Sequence, residues 1–165
     1  MAARNQIGKA GRTCPHTNEF ETSLAGTAHA VRDALATCRA QFSLAQVHPQ
    51  KLDEIELVMA EILNNIVEHA LAGKPTTERI KIFCKMHGDL VTIVFDDPGT
   101  PYAGNNLPCP EPRSAAAQVR VLPEGGFGWS LIHLLAKDIS YARADRRNLL
   151  TIVMDTRSPA HAPAR

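Results

Sequence analysis

No apolar run in this chain approaches the roughly 20 residues that a membrane-spanning helix needs. Charge of one sign is missing too: 18 Lys and Arg face 17 Asp and Glu. Without a basic excess there is no electrostatic footprint for direct nucleic-acid binding. Cysteine is sparse, and Cys14, Cys38, Cys84 and Cys109 are far apart with no CxxC pair. That spacing argues against a zinc site and for buried or incidental reduced thiols, as in a cytoplasmic protein. The opening MAARNQIGKAGRTCPHTNEF holds no apolar signal-peptide core, so export is not expected. No internal repeat is present.

What remains is an ordinary globular composition, 44% hydrophobic and 21% charged over 165 residues, enough for one domain with one core. Residues 1–16 mix Gly, Lys, Arg and polar residues without period, and 157–165 are rich in Pro and Ala; both are expected to be flexible tails around a domain at 17–156. Within it, NEFETSLAG can form a short strand, and TAHAVRDALATCRAQFSL carries apolar residues at helical spacing. HPQKLDEIELVMAEILNNIVEHALAG is a longer helical pattern with Pro49 near its start and Gly73 at its end. ERIKIFCKMHGDLVTIVFDD reads as a hairpin around His-Gly-Asp. Next comes a stretch of roughly 30 residues rich in Pro, Gly and Asn, then the short helix GWSLIHLLAKD. ISYARAD and NLLTIVMDT close as a second hairpin around Arg146 and Arg147. The order β-α-α-β-β-loop-α-β-β predicts an α+β, two-layer sandwich: a mixed, mostly antiparallel sheet with helices on one face.

The long helix carries an oddity. Glu61, Asn65 and His69 lie four residues apart along it. On a wheel of about 100° per residue, Ile55, Val58, Met59, Ile62, Leu63 and Ile66 share one apolar arc. Glu61 falls outside that arc, Asn65 at its edge and His69 just inside. A polar line on the seam between core and solvent can serve a ligand, but taken alone it reads more readily as a solvated carboxylate, a rim amide and a packed histidine.

Two glycine-containing motifs bear on the choice. VFDDPGTPY ends a strand in Asp97, Gly99 and Pro101: a turn signal first, yet also a place where a carboxylate can accept from a buried amine and where backbone can approach a ring closely. EGGFGWSLIHLLAKD sets Gly125, Gly126 and Gly128 before a helix start, an arrangement that offers N–H donors and a favourable dipole to phosphate. It is neither a P-loop, lacking GK[ST], nor a Rossmann fingerprint.

The conjunction, in this order, resembles the N, G1 and G2 boxes of the GHKL (Bergerat-fold) ATPases, the superfamily of gyrase, MutL and the histidine kinases. AEILNNIVEHA, DPGTPY, and GGFGWSLI followed by ISYARADRRNLLTIV look most like the anti-sigma-factor serine kinases of the RsbW and SpoIIAB type. The resemblance covers residues 17–155 and implies an ATP site between helices and sheet beneath a lid at about 100–127. It implies Asn65 as the Mg²⁺ ligand, Glu61 as the general base, and Asp97 as acceptor from the adenine amine. Gly99 and Pro101 would lie beside the ring, and Gly125, Gly126, Phe127, Gly128, Trp129, Ser130 and Leu131 near the phosphates, with His69 in support. It further implies a homodimer that phosphorylates a STAS-domain anti-sigma-factor antagonist and holds an RNA polymerase sigma factor inactive.

One departure weighs against full activity. Many relatives carry a basic residue among the G2 glycines, where this chain has Phe127. Arg113 and Arg120 in the lid are candidates for the missing γ-phosphate contact, or are solvated loop residues. A nucleotide-binding module without phosphotransfer is therefore an alternative reading, and a detached histidine-kinase ATPase domain a further one.

Overall fold

Along β3 (Leu90–Asp97) every second residue, Val91, Ile93, Phe95 and Asp97, is buried while those between remain half-exposed, the period-2 signature of a sheet covered on one face. The computed structural model describes residues 19–73, 77–102, 107–108 and 127–157. Before β3 come β1 (Glu19–Leu24), α1 (Ala28–Leu44), α2 (Pro49–Asn65) and β2 (Ile80–His87). After it come α3 (Phe127–Leu135), β4 (Asp138–Ala144) and β5 (Arg147–Asp155). The expected order of elements is thus the observed one. The expected tails and most of the lid, with Gly125, Gly126, Arg113 and Arg120, lie outside the described residues.

Helix starts obey local chemistry. Thr27 caps α1, its hydroxyl accepting from Ala30 N at 3.3 Å. Pro49 opens α2 at a position where a missing N–H costs nothing. The five strands run in the order β1-β2-β3-β5-β4. All four pairings are antiparallel, so the expected mixed character is corrected. The reason is topological. The α3 crossover brings β4 back in the direction of β3, but the β4–β5 hairpin inserts β5 between them, so the two like-directed strands never touch.

The first hairpin turns at Gly88 and Asp89, with Gly88 at φ +56°. The second, expected around Arg146 and Arg147, turns one residue earlier, with Asp145 at φ 49° and Arg146 at φ 65°. Arg143 steadies this left-handed pair by donating to Arg146 O at 3.0 Å. Arg147 is held in the strand instead, where its guanidinium pairs with Asp96 and reaches Glu78 at 2.8 Å.

The helices cover the sheet face formed by Ile80, Ile82, Val91, Ile93, Leu150 and Ile152, all essentially inaccessible. α1 packs over β1 through an edge-on Phe20–Phe42 contact at 5.2 Å. Beside it, Cys38 and Cys84, remote in sequence, hydrogen-bond to each other in the core. That bond, and then burial, push the Cys84 thiol far above its ordinary range. Buried, reduced thiols match the sequence expectation for this pair.

Candidate nucleotide site

α2 and the turn that follows it meet the other two motifs, Glu61 and Asn65 at Gly128 and Ala70 at Gly99 and Thr100. Asn65 donates Nδ2 to the Glu61 carbonyl at 2.7 Å, which leaves Oδ1 as the atom for a cation. Gly128, in the first turn of α3, lies directly against this pair. A Cβ there would come within 2.5 Å of Glu61 Oε2 and 3.7 Å of Asn65 Nδ2. The backbone entering α3 therefore lies beside the N-box carboxylate and amide, and a side chain at this position would displace the Glu61 carboxylate from where it rests. Among the described residues no three His, Cys, Asp or Glu side chains cluster as a metal site. Asn65 Oδ1 is the neutral oxygen of this set that could join a hard cation carried in with phosphates and waters.

His69 does not join the line. After Asn65 the helix loosens into a π-turn, Ile66–Ala70, closed by Leu71 N to Ile66 O at 2.9 Å. The wider turn rotates the positions beyond it, so His69 is exposed instead of lying inside the apolar arc. The same turn carries Ala70 to the G1 loop. Thr100 donates to Ala70 O through its N at 2.9 Å and its Oγ1 at 3.2 Å.

Gly99 has a nearer reason for being glycine than a ligand. A Cβ there would sit 2.5 Å from Ala70 Cβ, 2.7 Å from Ala70 O and 2.7 Å from Asp97 Oδ1. Because two of the three are fixed by the π-turn, Gly99→Ala is expected to cost about 1–3 kcal/mol of stability in denaturant melts. A variant as stable as wild type would mean the two segments are not held together as described.

Asp97 ends β3 and is only 2% exposed. Its Oδ1 accepts from Gly99 N at 2.8 Å and from Asn148 Nδ2 at 2.9 Å. Both bonds fall on one oxygen, and Oδ2 is the acceptor that remains. Burial raises this carboxyl above its ordinary range, against the pull of the Gly99 N–H, the Asn148 amide and the Arg147 charge, while neighbouring Asp96 adds to the rise.

Asn148, the residue paired with Asp97 across β3 and β5, is 1% exposed and was not anticipated. The signal was available: Leu150, Ile152 and Met154 face the core at every second position, and stepping back once puts an amide on that face. Tyr141 and Arg143 of β4 complete its surroundings, also unforeseen.

Trp129 is buried beside Gly128 and meets Tyr102 edge-on at 5.4 Å, as Tyr102 meets Tyr141 at 5.2 Å. Burial, then the charge of Asp97, push the Tyr102 hydroxyl above the usual phenol range. These rings join the first residues of the lid segment to α3. His133 adds a contact from Nε2 to Pro108 O at 3.1 Å. Of the remaining expected positions, Pro101 and Ser130 are exposed and Leu131 is half-buried. Phe127 opens α3.

Comparison with known families decides what this arrangement belongs to. A family model described as "Histidine kinase-like ATPase domain" matches residues 20–154. The chain belongs to that family. Membership implies ATP binding, and it agrees with the two-layer fold and with the joining of N box, G1 loop and G2 helix. A stretch of 52 residues is 36% identical to the sensor histidine kinase CusS of Escherichia coli K12; it is 32% of this chain and 11% of that protein. The solved structure of the RsbU and RsbW domains of Rv1364c from Mycobacterium tuberculosis superposes with a TM-score of 0.60 at 17% identity, covering 87% of this chain and 34% of that one. At that identity the likeness is one of fold. Among the described residues, no helix of this ATPase domain is long and apolar enough to cross a membrane.

Proposed function

We propose that this chain is an ATP-dependent protein serine/threonine kinase and anti-sigma factor. It would phosphorylate a STAS-domain antagonist, sequester a sigma factor, and act as a cytoplasmic homodimer. The observation that supports the catalytic part is the seating of Gly128 beside Glu61 and Asn65, where a helix-entry backbone could serve phosphate, the carboxylate a proton and the amide oxygen a cation. The likeness to a structure containing an RsbW domain supports the regulatory part.

In this reading Asp97 holds the adenine amine through Oδ2, so that the base end is fixed before chemistry begins. Asn65 Oδ1 would hold Mg²⁺, whose charge, when bound, offsets that of the phosphates. Glu61 orients the acceptor hydroxyl and takes its proton as that oxygen bonds to the γ-phosphorus and the bond to the β-phosphate oxygen breaks. His69, exposed on the π-turn, has at most a supporting part at the rim. Gly125, Gly126, Arg113 and Arg120 remain candidates for phosphate contacts from the lid.

A second reading is favoured by Phe127 among the G2 glycines: nucleotide orders the lid and tunes partner affinity without phosphotransfer. Incubation with ATP labelled at the γ-phosphate and candidate STAS-fold proteins separates the two. Label appearing on a serine or threonine of the acceptor supports the kinase, whereas tight nucleotide-dependent binding with no label supports the binding module.

A further inference from the structure

Asp97 and Asn148 are the two buried polar side chains of the described core, and they face each other across β3 and β5. Two apolar residues would pair there at lower cost, since buried polar groups are tolerated only when their hydrogen bonds are met. Asn148 meets all of its own. Its Nδ2 donates to Asp97 Oδ1 at 2.9 Å and to Thr100 O at 3.0 Å. Its Oδ1 accepts from Tyr141 Oη at 2.7 Å and from Arg143 Nη1. An amide has two N–H groups and two lone pairs, so none is left for a ligand. Arg143 cannot accept a hydrogen bond, so the oxygen must face it, and the two N–H groups must face Asp97 and Thr100. Arg143 also donates to Gly99 O at 3.1 Å. The G1 loop is thereby held at Asp97 and Thr100 by a side chain of β5 and at Gly99 by one of the edge strand β4.

We propose that Asn148 is the positioning residue of the nucleobase site: it fixes which carboxylate oxygen of Asp97 is spent inside the protein and which faces the base, and so sets the preference for adenine over guanine. The inference rests on reading Asp97 as the acceptor from the adenine amine. With Oδ1 held by Asn148 and Gly99, Oδ2 presents a pure acceptor to an exocyclic N–H, whereas the guanine carbonyl at the same place would meet acceptor against acceptor. Without the Asn148 amide only the Gly99 N–H holds Oδ1, so the carboxylate is less firmly oriented, and it loses a bond that favours its ionised form.

The test is Asn148→Ala, with Tyr141→Phe as a milder variant that removes one donor to the amide. Two readouts are taken: the ratio of ATP to GTP affinity across pH, and the titration of the Asp97 carboxyl by carbon NMR in nucleotide-free protein. Arg147, Asp96 and Tyr102, the charged and titratable groups around Asp97, are unchanged in both variants. Asn148→Ala is expected to lower the ATP to GTP ratio at least tenfold. It should also move the Asp97 titration, and with it the acid limb of ATP binding, to higher pH, because a hydrogen bond that favours the carboxylate is gone. Tyr141→Phe should shift both in the same direction by less, and it decides the matter if Asn148→Ala does not fold. A variant that melts earlier but keeps the wild-type ratio and the wild-type Asp97 titration would overturn the proposal and leave the adenine reading standing. Wild-type protein that binds neither nucleotide would overturn both.

Discussion

Replacing Glu61 by alanine leaves ATP affinity within about threefold of wild type and lowers phosphoryl transfer by about 10²–10⁴-fold, the usual worth of a positioned general base. The asymmetry comes from where the side chain sits. Its Oε2 lies against the backbone that enters α3, within 2.5 Å of where a Gly128 Cβ would be. A carboxylate beside phosphates does not help to hold them in the ground state; its use begins when a hydroxyl must lose a proton. Asn65, meanwhile, is tied to the Glu61 main-chain oxygen at 2.7 Å and not to the carboxylate, so alanine leaves the proposed cation ligand in place. Transfer is measured with a STAS-fold acceptor, or as ADP release in its absence. Wild-type rates in Glu61→Ala would remove this residue from the mechanism.

Asp97→Asn is expected to move stability and affinity in opposite directions. Burial raises the Asp97 carboxyl above its ordinary value of 3.8. The folded state therefore binds this proton more tightly than the unfolded chain does. The penalty for burying the charge is absent below that ordinary value, grows as pH rises through the raised folded value, and is full above it. A neutral amide removes the penalty while its oxygen still accepts from Gly99 N and Asn148 Nδ2. The Tm at pH 7 should be equal to or above that of wild type, and the difference should shrink as pH falls. The amide nitrogen then occupies the place of Oδ2 and sets a donor against the donor of adenine. With one charge-assisted hydrogen bond worth about 1.5–3 kcal/mol, ATP affinity should fall about 10–100-fold, while GTP gains relative to ATP. Calorimetric melting and nucleotide titration check the two halves separately. A variant that is less stable at neutral pH but binds ATP normally would contradict both.

Most of the fold was legible because hydrophobic period and turn chemistry agreed along the chain. Two β-branched and apolar runs, IKIFCKMH and LVTIVFDD, with Gly88 between them, left little freedom for the first hairpin. Pro49 and the apolar arc of α2 did the same for the long helix. Of the candidate site, the placement was legible where motif and element coincide: Glu61 and Asn65 lie on α2, Asp97 on β3 and Gly128 on α3, the elements on which the motifs were expected. It was not legible where geometry depends on a local irregularity or on distant pairing. Nothing in IVEHA marks the change from α- to π-helical hydrogen bonding, so a uniform wheel put His69 on the wrong side. The turn at Asp145 and Arg146 has no glycine to announce it, and the second hairpin was placed one residue late. Asn148 meets Asp97 only through the β3–β5 register, which a crossover and a hairpin separate in sequence.

The central claim is that these motifs form a working Mg·ATP site, and calorimetric titration of ATP, ADP and GTP with and without Mg²⁺, in wild type and Asn65→Ala, tests it most directly. Expected are adenine-selective binding that weakens when Mg²⁺ is withheld, and an Asn65→Ala protein whose affinity no longer depends on Mg²⁺. Folded wild-type protein that binds none of the three nucleotides, or binds ATP and GTP alike without regard to Mg²⁺, would contradict it.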